Sequence, residues 1–269
     1  MNRTDLANES ITDRISRADN SDSSGYTLNE YRLNSLPVQE LILEAAGSAL
    51  IGKPAGRYVT LFCDNDNEDY TGNYKEDEAT AAVTSILGKL LPGSGSVLIA
   101  GLGNDKITPD SLGAKTVRKV QATAHFEELP EYRDLNMRKV WVVETGVLAQ
   151  TGIESLRQIE YLSAGLKPDC IIVIDALACS EPERLTRTIQ FTDTGISPGS
   201  GVGNARAEIS AGKMRGTPVF AIGVPTVIDF PLNKGNGVGM VTTRDIDDAT
   251  ERFARIISGG INKIMNTPL

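Results

Sequence analysis

The sequence predicts an α/β protein: a three-layer αβα arrangement with helices on both faces of a mainly parallel central sheet. Short, almost wholly apolar runs recur, SVLIAG (96–101), CIIVI (170–174) and PVFAIG (218–223), which is the pattern of strands buried on both faces. Segments with apolar residues at helical spacing alternate with them, as in a parallel sheet built from crossover units. The chain has 269 residues, 40% of them hydrophobic, and so suits one large domain, 1–269, better than two small ones.

Taken in order, residues 1–56 show no clean period, and RADNSDSSG (17–25) reads as an exposed loop. RYVTLFC (57–63) is strand-like. The acidic stretch 64–78 lacks the ligand spacing and central glycine of a calcium loop and reads as solvated loop and helix start. From 76 to 91, Ala79, Ala82, Val83, Ile86, Leu87 and Leu90 mark a helix that Pro92-Gly93 ends. SVLIAG runs into Gly101-Leu102-Gly103-Asn104. Thr108-Pro109-Asp110 then has a capping residue, a proline for the first helical position and an acid for the first turn. KVWVV (139–143) is a further strand. Thr151-Gly152-Ile153-Glu154 has capping-box spacing ahead of a helix through Leu156, Ile159, Tyr161 and Leu162, with Gly165 and Pro168 as the stop. CIIVI runs straight into Asp175, PVFAIG ends at Val224-Pro225-Thr226, and a C-terminal helix through Ile246, Phe253, Ile256, Ile257, Ile261 and Ile264 follows a Thr243 cap.

Composition narrows the function. Lys and Arg number 27 against 35 Asp and Glu, and the net charge of -8 repels phosphate backbones and anionic membranes, so no direct nucleic-acid partner is expected. The N-terminus is polar, and no run approaches the roughly 20 apolar residues of a membrane span, so neither secretion nor insertion is expected. Cys63, Cys170 and Cys179 form no CxxC pattern and read as buried thiols of a cytoplasmic protein. A single histidine, His125, excludes a zinc site with two or three histidines and leaves carboxylates to carry the chemistry.

Asp110 and Asp175 are the carboxylates that this order of elements brings together. Each lies just past the carboxyl end of a buried strand, where ligands of open α/β sheets bind. Helix N-terminal donors favour the ionised form of Asp110, and emergence from an apolar strand favours the neutral form of Asp175; such a divided pair can act as base and acid on a water. The bland readings are a turn acid for Asp110 and a strand-end residue held by backbone donors for Asp175. FTDTGISPGSGVGN (191–204) is ambiguous. Its Asp193-Thr194-Gly195 occurs once, in a chain with no β-rich duplication, so the tripeptide reads as a coincidence rather than a pepsin-like site; the glycines lack the GxxxxGK[ST] of a nucleotide loop. Two readings remain. The stretch is a structural turn, or it is a substrate-binding loop of Asp193, Gly199, Gly201, Gly203 and Asn204 whose N–H groups face the peptide or its oxyanion.

At these residues the sequence resembles the spore germination protease family, aspartic-type endopeptidases of endospore formers. The resemblance is carried end to end by RTDLA (3–7), GRYVTL (56–61), GLGNDKITPDSLG (101–113), QTGIE (150–154), KPDCIIVIDALA (167–178), TIQFTDTGISPGSGVGN (188–204), VFAIGVPTVID (219–229) and MVTTRDIDD (240–248). It implies a phosphorylase/hydrolase-like fold, catalytic aspartates at Asp110 and Asp175, no metal and no cofactor. It also implies small acid-soluble spore proteins as substrate, a homotetramer, zymogen control and residence in the spore core. Ala114 replaces a family proline, Thr123-Ala124-His125 stands where the family has Thr-Arg-His, and PLNKGNGVG (231–239) replaces a longer insertion. Only Met1 and Asn2 precede Arg3, so zymogen control is absent or the chain represents a mature-like form. Two alternatives stand beside this reading: a metal-assisted peptidase of related fold using His125, one of the two aspartates and Glu127 or Glu128, and a non-catalytic oligomeric homologue.

Overall fold

Three apolar strands at the heart of the chain set its plan. β4 (Val97–Leu102), β6 (Cys170–Cys179) and β8 (Val219–Pro231) lie side by side and parallel, with β5 (Val140–Gly146) parallel on the far side of β4. The computed structural model describes residues 4–17, 25–63, 76–129, 137–197, 207–231 and 238–266. An antiparallel half continues the sheet beyond β8: β7 (Thr188–Thr192), β3 (Gly56–Phe62), β2 (Leu36–Leu43) and β1 (Tyr26–Leu33), while β9 (Val238–Val241) pairs with the far end of β8. The three-layer α/β architecture expected from the sequence is therefore present, with its parallel strands at the centre. The hairpin β1–β2 lies where no period was legible.

Alternation along each strand assigns the layers. Ile172 and Ile174 of β6, with Val97 and Ile99 of β4, face α3 (Glu76–Leu90), α4 (Leu112–Val117) and α7 (Ile246–Met265). Ile171 and Val173, with Leu98 and Ala100, face α6 (Ser155–Leu166) on the other side. α1 (Ala7–Arg17) and α2 (Ala45–Ile51) cover Leu41, Leu43 and Tyr58. From β4 the chain crosses through α4 to β5, then returns through α6 over β4 to β6. Right-handed crossovers in opposite directions put the two helices on opposite faces and leave a crevice past the carboxyl ends of β4 and β6. The amino ends are fixed instead: Arg138, 4% exposed, donates to the carbonyls of Pro92, Ser94 and Gly95, and donation from the Ser96 N–H and hydroxyl holds Asp169 below the usual carboxylate range.

Several local expectations shift. Thr108–Asp110 is a separate 3-10 turn, because Ser111, at φ -93° and ψ -3°, interrupts it before α4. Asp110 is thus outside the first turn of the α-helix. The Thr151 segment ends the short α5 (Leu148–Thr151) at a left-handed Gly152, and α6 starts at Ser155 without a side-chain cap. Asp245, not Thr243, precedes α7. β6 runs five residues past Ile174, so Asp175 lies inside the strand.

The N-terminal segment is anchored on this extension of β6. The Asp5 N–H donates to the Ala178 carbonyl, the Ala178 N–H donates to Asp5 Oδ2, and Glu9, 2% exposed, accepts from the Ser180 N–H and hydroxyl and the Glu181 N–H. Glu9 also lies 3.6 Å from Arg184 Nε, whose guanidinium sits over the Phe62 ring. Glu9→Ala strips partners from two half-buried N–H groups and a buried cation, and Glu181 retains part of the pairing to Arg184. The expected loss is about 3 kcal/mol, read from the urea midpoint.

All three cysteines are buried. Burial pushes the Cys170 thiol up to about 11 and raises Cys179 as well, so neither supplies thiolate near neutrality. A disulfide reagent at pH 8 is expected to titrate none of the three in the native protein within minutes and all of them in guanidinium; prompt native reaction would contradict this burial.

Candidate active site

The loop after β4 is built on close backbone approach. A Cβ placed on Gly101 would stand 2.3 Å from the Gly113 carbonyl oxygen; one on Gly113 would stand 2.3 Å from the Leu102 oxygen and 2.5 Å from the Ile174 oxygen. Bare glycines thus let the start of α4 lie directly on β4 and on β6, one residue before Asp175. Gly103, at φ +96°, turns the chain, and a Cβ there would meet the Asp110 carbonyl oxygen at 2.0 Å and its Oδ1 at 3.0 Å. Asp110 is folded back against this turn, and its Oδ2 accepts the Asn104 N–H at 2.8 Å. Asn104 is held in turn: its side-chain oxygen accepts from the Lys106 N–H at 3.0 Å and from Gln150 Nε2 at 2.6 Å.

Asp175 approaches the same place from β6. Pairing with β4 ends at Ile174, opposite Gly101, after which β6 pairs only with β8 among the strands. Even residues of β6 address β4, as the Cys170 N–H does to Ser96, and odd residues address β8, as Ile171 does to Pro218. The Ala176 N–H therefore points to the side that β4 has vacated, and Asp175 Oδ1 accepts it at 2.9 Å. Asp175 is 5% exposed. The 3-10 turn carrying Asp110 lies against both β6 and β8. Each carboxylate thus has one oxygen held by a backbone N–H beside the gap beyond β4.

The other expected residues are placed differently. Asp193 directly follows β7, and its Oδ1 accepts the Arg57 N–H at the start of β3 at 2.8 Å, a strand-end bond on the antiparallel side of the sheet. Gly199, Gly201, Gly203 and Asn204 lie outside the described residues. The base of their loop is fixed by two bonds between Ile196 and Ile209, at 3.0 and 2.8 Å, on the α6 face of the sheet. His125 lies in a turn, Ala124–Glu128, beside the amino ends of β4 and β5, exposed and against Phe126, while Glu127 pairs with Lys139. That is the end of the sheet opposite the two aspartates. Among the described residues, no group of three or more His, Cys, Asp and Glu is arranged to hold a metal ion. Sequence reasoning did not assign Gly103, Asn104 and Gly113 a part, although the GLGN run directly after a buried strand was the signal for a chain that must bend sharply there.

Asp110 and Asp175 both fall inside the region, residues 2–234, that matches the germination protease family. The germination protease of Clostridium tetani is 36% identical over 306 aligned positions, covering 97% of this chain and 94% of the relative. That alignment is longer than the 269 residues here, so the relative has inserted segments that this chain lacks. The germination protease of Clostridium perfringens strain SM101 is 40% identical over 81% of this chain and 67% of its own, and that of Bacillus licheniformis 39% over 94% and 68%. Among solved structures, the NiFe-hydrogenase maturation protease HycI of Thermococcus kodakarensis matches with TM-score 0.41 and 16% identity, over 68% of this chain and 99% of that one. A family match over most of the chain, with relatives of this similarity, establishes that the chain belongs to the germination protease family and is related to proteases throughout the sheet that carries the two aspartates.

Proposed function

We propose that the chain is an aspartic-type endopeptidase that cleaves small acid-soluble spore proteins with a water held between Asp110 and Asp175. The observation that carries this reading is the placement of both carboxylates, each held by a backbone N–H, beside the gap that opens where β4 ends and β6 continues. Asp110, nearer solvent, takes the proton of the attacking water. Asp175, at 5% exposure, starts protonated and donates to the leaving amine; a carboxyl withdrawn from water keeps its proton more readily. The two titrate as a pair, so the apparent values belong to the dyad. The glycine loop supplies N–H groups to the substrate chain. A net charge of -8 favours substrate proteins once they have left nucleic acid. The chain acts in the spore core as a homo-oligomer, a tetramer by its family resemblance.

The test is digestion of a purified small acid-soluble spore protein by this chain, beside Asp110→Asn and Asp175→Asn, with and without a chelator. Cleavage at a defined site that both substitutions abolish and the chelator leaves intact is the expected result. Activity surviving either substitution would overturn the paired mechanism, and loss in chelator restored by metal would replace it with a metal-assisted one.

A further inference from the structure

The turn that carries Asp110 has little apolar burial to hold it. Asp105, Lys106 and Ile107 are exposed, so polar bonds set its shape. The backbone closes on itself first: the Ile107 N–H donates to the Asn104 carbonyl at 3.1 Å, and the Asp110 N–H donates to the Ile107 carbonyl at 2.8 Å. The Asp110 carboxylate then returns to the Asn104 N–H. At the far end the Thr108 hydroxyl donates to Asp247 of α7. Where Asp110 stands thus depends on what holds Asn104 and Asp105 at the near end.

Two side chains from other elements do so. Arg118, directly after α4, donates from Nε and Nη2 to the two oxygens of Glu144 on β5, at 2.8 and 2.6 Å, and from Nη2 to Asp105 Oδ2 at 3.0 Å. One planar guanidinium thereby ties α4, β5 and the turn together, a geometry that the fixed fork of an arginine allows and the single ammonium of a lysine does not. The bond from Arg118 holds Asp105 below the usual carboxylate range, so the tie persists through neutral pH. Gln150, which opens the QTGIE block, works from α5. Its Oε1 accepts the Val147 N–H at 3.3 Å, which turns Nε2 outward to Asn104 Oδ1 at 2.6 Å and Asp105 Oδ1 at 3.3 Å. The end of β5 just before α5 is itself pinned to α6, where the Ser155 hydroxyl and Gln158 Nε2 donate to the Gly146 and Thr145 carbonyls. The bland reading of this cluster is a solvated surface network. Arg118 is 52% exposed and its two acids 31% each, and pairs this exposed contribute little to folding, so the two readings part on activity rather than on stability.

We infer that Arg118 and Gln150 are positioning residues for the Asp110 carboxylate, holding Asn104 and Asp105 so that the Asn104 N–H meets Asp110 Oδ2 and aims the other carboxylate oxygen at the attacking water. The inference rests on the peptidase reading and adds to it the side chains that set the geometry of one aspartate. Both act through the turn. Asp175 is held separately, by the Ala176 N–H on β6, so a loosened turn shifts one member of the pair against the other. A shift of about 1 Å between reacting groups costs about 10²-fold in rate, which makes a network of small stability a large lever on turnover.

The experiment compares wild type with Arg118→Met, Arg118→Lys and Gln150→Glu, and with Arg255→Met as the reference for an exposed arginine. Arg255 pairs with both oxygens of Glu76 at 3.1 and 2.7 Å, joining α7 to α3 with the same chemistry away from the turn. The readouts are kcat and KM on a purified small acid-soluble spore protein, hydrogen exchange across residues 102–111, and melting temperature. Arg118→Met is expected to lower kcat by about 10–100-fold with KM unchanged, and to speed exchange across 102–111. Its melting temperature should stay within about 3 °C of wild type. Gln150→Glu keeps the acceptor for Val147, sets an oxygen where Nε2 met Asn104 and Asp105, and should act likewise. Arg118→Lys should recover part of kcat, since the charge remains and the fork is lost. Arg255→Met should change neither kcat nor that exchange. A rise in KM at unchanged kcat would make Arg118 a substrate contact and overturn the positioning role. So would wild-type kcat in both Arg118→Met and Gln150→Glu, or a loss of kcat that only follows a fall in melting temperature. A wild-type chain that leaves the spore protein intact overturns the peptidase reading, and the positioning role with it.

Discussion

Asp110→Asn and Asp175→Asn are each expected to lower kcat on a spore-protein substrate by about three to four orders of magnitude, with the double variant little worse than either. The size follows from the role: a positioned acid or base contributes about 10²–10⁴ in rate, and here one water depends on both groups. The non-additivity follows from the same dependence, since removing either carboxylate disables the unit. Asparagine is the substitution to use because the local structure survives it. Its side-chain oxygen can still accept the Asn104 N–H at 110 and the Ala176 N–H at 175, the two bonds that orient the native carboxylates. Each variant should therefore melt close to wild type while losing turnover. Single-turnover rates and melting temperatures check both halves. A single variant within tenfold of wild type, or a double variant worse by the product of the two factors, would mean that the aspartates do not act together.

The parallel core and both aspartates were legible because their signals are local. SVLIAG, CIIVI and PVFAIG announce strands buried on both faces, and each aspartate stands next to such a run. What escaped depends on partners distant in sequence. β1 and β2 were hidden because their polar, half-exposed alternation is weak, although Asn34-Ser35 between them, with Asn34 at φ 54°, is a hairpin turn in residue type. Thr108-Pro109-Asp110 has every mark of a helix start, yet Thr108 bonds Asp247 on α7 and the Asp110 carboxylate turns back to Asn104; long-range contacts outweigh local propensity there. Asp175 looked like a strand-end residue because its neighbours change character after Ile174. The strand continues because β8 is long enough to pair with it as far as Cys179. Asp193 drew notice as part of a tripeptide, but its carboxylate caps the start of β3 on the Arg57 N–H, a bond across 136 residues of chain.

Gly113→Ala is expected to cost about 3–5 kcal/mol of stability and to abolish cleavage in whatever fraction remains folded. The added methyl would meet the Leu102 oxygen at 2.3 Å and the Ile174 oxygen and Leu102 nitrogen at 2.5 Å. All three are backbone atoms of strands buried in the sheet, so no side-chain rotation relieves the contact, and α4 must lift away from β4 and β6. Lifting α4 carries the preceding turn with it. The Asp110 carboxylate then leaves the Asn104 N–H and the gap beside Asp175, so activity falls further than the melting temperature alone would indicate. Gly165→Ala is the matched control: it lies in α6 with nothing within 4 Å of its added methyl, and alanine there should stabilise by about 0.5–1 kcal/mol through helix propensity. Urea midpoints and specific activity per folded molecule separate the two effects. If Gly113→Ala is folded and active as wild type, the backbone contact between α4 and β6 does not hold the two aspartates together.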